Sequence, residues 1–214
     1  MEREIVIRVS GVDLPGTLSV PGGAPVLVLF AHGSGSSRLS PRNRAVAGEL
    51  SRGGIGTLLI DLLTAEEDAD YETRFDIDLL GDRLEAIVRW AGAQPETRDL
   101  AIGLFGASTG AAAALRVAAR LGDRIEAVVS RGGRPDLAME SLPRVAAPTL
   151  LIVGGEDHAV LPLNVAAYRA LRCRKELEIV AGATHLFEEP GTLQEVSALA
   201  LHWFRTHAPR PEPK

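Results

Sequence analysis

The sequence predicts an α/β protein, a doubly wound and mostly parallel sheet entered by an N-terminal antiparallel hairpin. Three observations carry this. Short, continuously apolar runs recur along the chain, as expected of strands buried on both faces of a parallel sheet. Segments with apolar residues spaced three and four apart alternate with those runs. Ahead of the first run, apolar and polar residues alternate instead, the mark of strands with one wet face.

The elements follow in order. Ile5, Ile7 and Val9 alternate with polar residues, Gly11 and Asp13 punctuate, and Leu14 to Val20 returns as the second arm of a hairpin closed by Pro21-Gly22-Gly23. Val26 to Phe30 is the first buried run. Gly56 to Ile60, Leu100 to Phe105, Ile125 to Val129 and Thr149 to Val153 repeat it, and Leu177 to Val180 is a shorter, more polar sixth. Helices are expected over Pro41 to Ser51, with Pro in its first turn and Gly53-Gly54 beyond its end, and over Phe75 to Ala93. Thr109 to Leu121, Leu163 to Leu171 and Leu193 to His207 complete the set. Thr64 to Thr73 is acidic and reads as a surface loop. About seventeen residues separate Ser130 from Ala147-Pro148, too few for a lid domain. The alternation makes residues 1–207 one domain with right-handed crossovers and 208–214 a frayed Pro-rich tail.

Composition excludes several functions. The 214 residues are 46% hydrophobic and 24% charged, an ordinary globular balance. With 23 basic against 28 acidic residues the net charge is −5, which offers no electrostatic footprint for nucleic acid or an anionic membrane. Cys173 is the only cysteine, so no disulfide forms within the chain and no thiolate cluster can hold a metal. The first residues lack a signal-peptide core, and no apolar run approaches the ~20 residues of a membrane span. A cytoplasmic protein acting on a small molecule without metal or other cofactor is expected. Oligomeric state is not legible.

Ligands of an open parallel sheet bind at the C-terminal ends of its strands. The reactive residues just past the apolar runs are His32-Gly33-Ser34-Gly35, Asp61, Gly106-Ala107-Ser108-Thr109-Gly110, Ser130-Arg131, Glu156-Asp157 and His185. The G-x-S-x-G follows a buried strand and opens a helix, the context in which a sharp turn exposes a serine hydroxyl. Such a hydroxyl needs a base, and the base an orienting carboxylate. His185, in the small-residue loop Gly182-Ala183-Thr184-His185, supplies the base. Asp157 is the favoured carboxylate, with Glu156 and Asp136 as rivals. Two backbone N–H groups, of Thr109 at a helix N-terminus and of Ser34 in the glycine-rich loop, are expected to form the oxyanion hole, their side chains mattering less. His32 is expected to brace that loop, and His158 to be solvated. Arg38, Arg42 and Arg131 are candidates to bind a substrate carboxylate or phosphate, and Arg134 follows close behind.

Together these motifs resemble an α/β-hydrolase, and within that superfamily the chain is similar to the small, lidless dienelactone hydrolase family. The resemblance spans nearly the whole chain through His32-Gly33-Ser34-Gly35, Gly106-Ala107-Ser108-Thr109-Gly110, Gly154-Gly155-Glu156-Asp157 and Gly182-Ala183-Thr184-His185. It implies a hydrolase with a Ser108–His185–Asp157 triad. Dienelactone hydrolases proper carry a cysteine nucleophile where this chain has Ser108, so the resemblance implies a serine esterase acting on small or short-chain esters. Two other readings compete. Gly33-Ser34-Gly35 with Asp61 imitates a dinucleotide-binding fingerprint, although Arg38 stands at its third glycine. Some α/β-hydrolase relatives keep the fold as non-catalytic receptors or scaffolds.

Overall fold

A computed structural model describes residues 2–208. Eight strands form one sheet: β1 (Glu2–Val9), β2 (Val12–Ser19), β3 (Val26–Ala31), β4 (Gly56–Ile60), β5 (Ala101–Ala107), β6 (Ala127–Arg131), β7 (Thr149–Gly154) and β8 (Lys175–Val180). Their spatial order is β1-β2-β4-β3-β5-β6-β7-β8. The hairpin β1–β2 and the β2–β4 pair are antiparallel, and every later pair is parallel. The doubly wound sheet with an N-terminal antiparallel hairpin is therefore the observed architecture.

The apolar runs are continuous because each strand feeds two cores. In β3, Leu27, Leu29 and Ala31 pack into the layer of α3 (Ile77–Ala91), α4 (Thr109–Leu121) and α5 (Leu161–Ala170). Val26, Val28 and Phe30 point the other way, into the layer of α1 (Pro41–Arg52) and α6 (Thr192–His207). A strand with a wet face could not carry six successive buried residues. β8 lies at the sheet edge, which accounts for its more polar and half-exposed run.

The expected helices appear with small shifts. The second of them, α3, begins at Ile77, because Asp76 accepts a hydrogen bond from the Leu79 N–H and caps it, and Thr73–Phe75 is a 3-10 turn before the cap. The acidic segment from Thr64 is a correction: it contains a short helix, α2 (Ala65–Ala69), with a complete capping box. The Thr64 hydroxyl accepts from the Glu67 N–H, and the Glu67 carboxylate accepts from the Thr64 N–H. Both Glu67 oxygens also accept from buried Arg83 of α3, at 2.6 Å each. That grip holds the Glu67 carboxyl down at about 2. Between β6 and β7 the chain forms 3-10 turns over Pro135–Arg144. Of the expected tail, only Ala208 lies within the described residues, and no described helix is long and apolar enough to cross a membrane.

Candidate active site

Ser108 sits at the tip of β5 with φ 50° and ψ −121°, a conformation that few non-glycine residues adopt. The flanking glycines allow this turn. A Cβ on Gly106 would lie 2.4 Å from the Ala111 Cα, and one on Gly110 would lie 2.2 Å from the Ala31 carbonyl oxygen. Helix α4 thus begins against the backbone of β3, and Ala111 to Ala114 are fully buried there. The Ser108 N–H donates to the Arg131 carbonyl and its own carbonyl accepts from the Arg134 N–H, so β6 clamps the turn from the side.

The loops after β7 and β8 are zipped together. The Gly155 N–H donates to the Val180 carbonyl, and the Glu156 N–H to the Ala183 carbonyl. Gly154 makes this approach possible, since a Cβ there would sit 2.3 Å from the Ala183 oxygen. The consequence is a 2.7 Å contact between His185 Nδ1 and Asp157 Oδ2, with the Asp157 side chain buried and the imidazole still reachable from solvent. Phe187, buried with φ 56°, anchors the far side of the His185 loop, and Glu189 clamps Thr184 through both its N–H and its hydroxyl. Gly132, with φ 51°, lies beside the imidazole: a Cβ there would be 3.5 Å from the ring. Ser108 and His185 therefore flank the same Arg131–Gly132 turn. The Ser108 hydroxyl is not hydrogen-bonded to His185, whose side-chain partner is Asp157.

The rival carboxylates are engaged elsewhere. Asp136 accepts from Arg134 through both oxygens, at 2.9 and 2.8 Å. Glu156 faces exposed His158 at 3.4 Å.

The glycine-rich loop passes close to Ser108. A Cβ on Gly33 would fall 2.9 Å from Ser108 Cβ and 3.6 Å from Ser108 Oγ. His32 is buried and bridges its surroundings: Nε2 accepts from the Leu62 N–H, which leaves Nδ1–H to donate to the Gly33 carbonyl. The Ser34 N–H points inward, as the sequence suggests, but it donates to the Thr109 hydroxyl at 2.8 Å. The Thr109 side chain is thus part of the site, which sequence reasoning overlooked. Helix α1 starts only at Pro41, so the glycines do not open a helix as a dinucleotide fingerprint requires.

The arginines divide. Arg38 is absorbed by the hairpin and β4: its guanidinium pairs with Glu4 at 2.9 Å and Asp61 at 3.5 Å. It lines a cavity of about 420 Å³ with Arg44, Thr17 and Thr57, away from Ser108. This corrects its candidacy as a substrate ligand. Arg42 pairs with the exposed Glu188 at 2.7 Å. Arg131 is buried with no acidic partner among the described residues. Burial, and then the charge of Arg42, pull its guanidinium down to about 10, so it stays cationic at neutral pH. No cluster of three or more His, Cys, Asp or Glu that could hold a metal occurs among the described residues.

Comparison with known proteins places this arrangement. The chain is 52% identical over 212 residues to a Mycobacterium tuberculosis protein provisionally named a phosphoribosyl transferase; the match takes in 99% of this chain and 48% of that one. The chain thus spans about half the length of the curated relatives it matches. A dienelactone hydrolase structure from Anabaena variabilis is 52% identical, superposes with a TM-score of 0.94, and is covered to 99% by 98% of this chain. Est1E from Butyrivibrio proteoclasticus shares the fold at a TM-score of 0.83 and 17% identity, with 95% of this chain against 98% of that one. At that identity the likeness to Est1E is one of fold. The dienelactone hydrolase family model matches residues 63–208, a stretch that takes in Ser108, Asp157 and His185. The chain belongs to the dienelactone hydrolase family, within the α/β-hydrolase superfamily.

Proposed function

We propose that the protein is a serine hydrolase that cleaves small or short-chain carboxylic esters through an acyl-enzyme. The observation that carries this reading is the 2.7 Å His185–Asp157 contact beside a serine held at φ 50° on a strand-to-helix turn. Asp157 fixes the tautomer with the proton on Nδ1, so Nε2 is free to take the proton of the Ser108 hydroxyl. The Oγ attacks the ester carbonyl. The oxyanion that develops is held by the Thr109 N–H at the start of α4 and by the Ser34 N–H, once the latter exchanges the Thr109 hydroxyl for the substrate oxygen. The imidazolium returns its proton to the leaving alcohol, and water, activated by the same histidine, releases the acid.

The preference for short acyl chains rests on the absence of a wall. The β6–β7 connection is a run of 3-10 turns packed on α4 and α5. Each buried CH₂ contributes up to ~0.8 kcal/mol, and a long chain would find little apolar surface to collect it. The substrate is read as a small molecule; the acidic balance disfavours nucleic acid and anionic membranes as partners.

The test is hydrolysis of p-nitrophenyl acetate, butyrate and palmitate, with labelling by a fluorophosphonate probe, on the wild type and Ser108→Ala. The wild type should label and prefer the short esters. Ser108→Ala should lose labelling and ~10⁴-fold or more in kcat while melting at the wild-type temperature. Near-wild-type turnover by Ser108→Ala would refute the nucleophile, and an optimum at palmitate would refute the open pocket.

A further inference from the structure

β6 ends on an arginine that the rest of the fold does not explain. Along this strand Ala127 and Val129 pack into the α1/α6 layer while Val128 faces the opposite one. The alternation carries Arg131 to the α1 side, and only 7% of it is exposed. Its Nε and Nη1 are both buried and neither has a hydrogen-bond partner. No carboxylate lies within 4 Å of it among the described residues. The charge that acts on it is that of Arg42, from the first turn of α1, whose own Nε is also buried without a partner. Both guanidiniums therefore lie on the α1 side of the sheet, Arg131 at the end of β6 beside Ser108 and Arg42 bonded to Glu188 three residues past His185. The Arg131 carbonyl holds the Ser108 N–H, and a Cβ on Gly132, the next residue, would lie 3.5 Å from the His185 ring.

A buried guanidinium without a counter-charge is costly, and a second cation beside it adds repulsion. The other arginines drawn into the body of the protein are treated differently. Arg83 is gripped by Glu67, Arg134 by Asp136, and Arg38 by Glu4 and Asp61. Guanidinium donors match the oxygens of phosphate and carboxylate groups, and two cations side by side favour a doubly charged group over a singly charged one. Among the described residues the one acid paired with either is Glu188, exposed on the His185 loop and bonded to Nη1 of Arg42. Arg42 Nε and Arg131 Nε and Nη1 have no partner.

We infer that Arg131 and Arg42 form an oxyanion subsite on the α1 side of Ser108, built for a doubly charged group, a phosphate or a dicarboxylate, carried by the substrate. This rests on the proposed serine-hydrolase reading for the site it adjoins, but binding at the subsite does not require turnover. The cost of burying the two cations is then offset when the substrate arrives. The subsite acts as a selector for anionic substrates; Arg131 holds and orients, and takes no part in proton transfer.

The experiment has two arms. In the first, inorganic phosphate, succinate and acetate are added at matched ionic strength, with sodium chloride as control, and thermal melting is followed for the wild type and Ser108→Ala. Phosphate or succinate should raise the melting temperature of both proteins, and acetate less. In the second, the same anions are tested as inhibitors of p-nitrophenyl acetate hydrolysis. Competitive inhibition is expected, weakened about tenfold or more in Arg131→Met and in Arg42→Met and unchanged in Arg44→Met, an exposed arginine on the same helix. If Arg131→Met fails to fold, Arg131→Lys and Arg42→Met carry the comparison. The inference is overturned if no dianion stabilises the protein beyond chloride, or if inhibition is indifferent to both arginines. Stabilisation of Ser108→Ala by phosphate without any esterase activity in the wild type would instead sink the hydrolase reading and leave the subsite standing.

Discussion

Replacing Gly33 by alanine tests the site geometry without touching a reactive group. Gly33 is outside the left-handed region, so the alanine backbone meets no conformational penalty. The effect is purely steric. The new methyl would lie 2.9 Å from Ser108 Cβ and 3.2 Å from the Ala107 carbonyl oxygen. Carbon atoms settle at roughly 3.5–4.0 Å, so the loop must withdraw from the nucleophile by about 0.5–1 Å. The Ser34 N–H is on the next residue and withdraws with it. Misplacement by ~1 Å costs about 10²-fold, and outright loss of an oxyanion donor about 10²–10³-fold. Gly33→Ala should therefore lower kcat on p-nitrophenyl acetate by about 10- to 100-fold. The overpacking should cost about 1–3 kcal/mol of stability. Gly48→Ala is the matched control: it lies on α1 with nothing within 4 Å of its added methyl, and should keep full activity with a slightly higher melting temperature. A Gly33→Ala enzyme within twofold of the wild-type kcat would show that this loop does not serve the reacting centre.

Two further outcomes follow from the charges. Asp157→Asn should lower kcat by ~10⁴ while leaving KM within a few-fold, because the imidazole loses its tautomer and its counter-charge; Asp136→Asn and Glu156→Gln should stay within a few-fold of the wild type, and the reverse pattern would move the acid to another strand. Glu67 sets an acid limit on stability. Its folded pKa, about 2, is below its ordinary value of 4.5, so its contribution is complete above about pH 4.5 and fades as the pH falls toward 2. Solvent screening of this half-buried pair holds the contribution to about 1 kcal/mol. The melting-temperature gap between wild type and Glu67→Gln should be open at pH 6, shrink below about pH 4.5 and close only below about pH 2, and a gap that ignores pH would contradict the assignment.

What the sequence makes legible is what periodicity and turn chemistry determine. Val26 to Ala31 reads as a doubly buried strand because its alternate residues really do enter two different cores. Ser108 reads as a nucleophile because its turn needs Gly106 and Gly110, where a Cβ would lie only 2.4 and 2.2 Å from neighbouring backbone. The helix α2 was equally legible, since Thr64 and Glu67 spell a capping box, but a run of acidic residues masks it when read by composition alone. The Thr109 hydroxyl was not legible, because nothing local says that it would meet an amide 75 residues away.

The arginines mark where such reading stops. Arg38, Arg42 and Arg131 all stand just past strands or at the start of a helix, and by position they are equivalent. Position along the chain cannot say which acid each will meet. Arg38 is neutralised by Glu4 on β1, which reaches it only because the hairpin folds back onto β4. Arg131 has no such strand beside it: its neighbours in the sheet are β5 and β7, whose residues at that level are Ala107 and Ile152. Neither strand neighbour offers this arginine an acid, which leaves the open end of the strands as the side from which the proposed anion would reach it. That is the end at which the proposed mechanism has Ser108 and His185 meet a substrate, so Arg131, a buried cation without an acidic partner among the described residues, and Ser108 would serve the same opening.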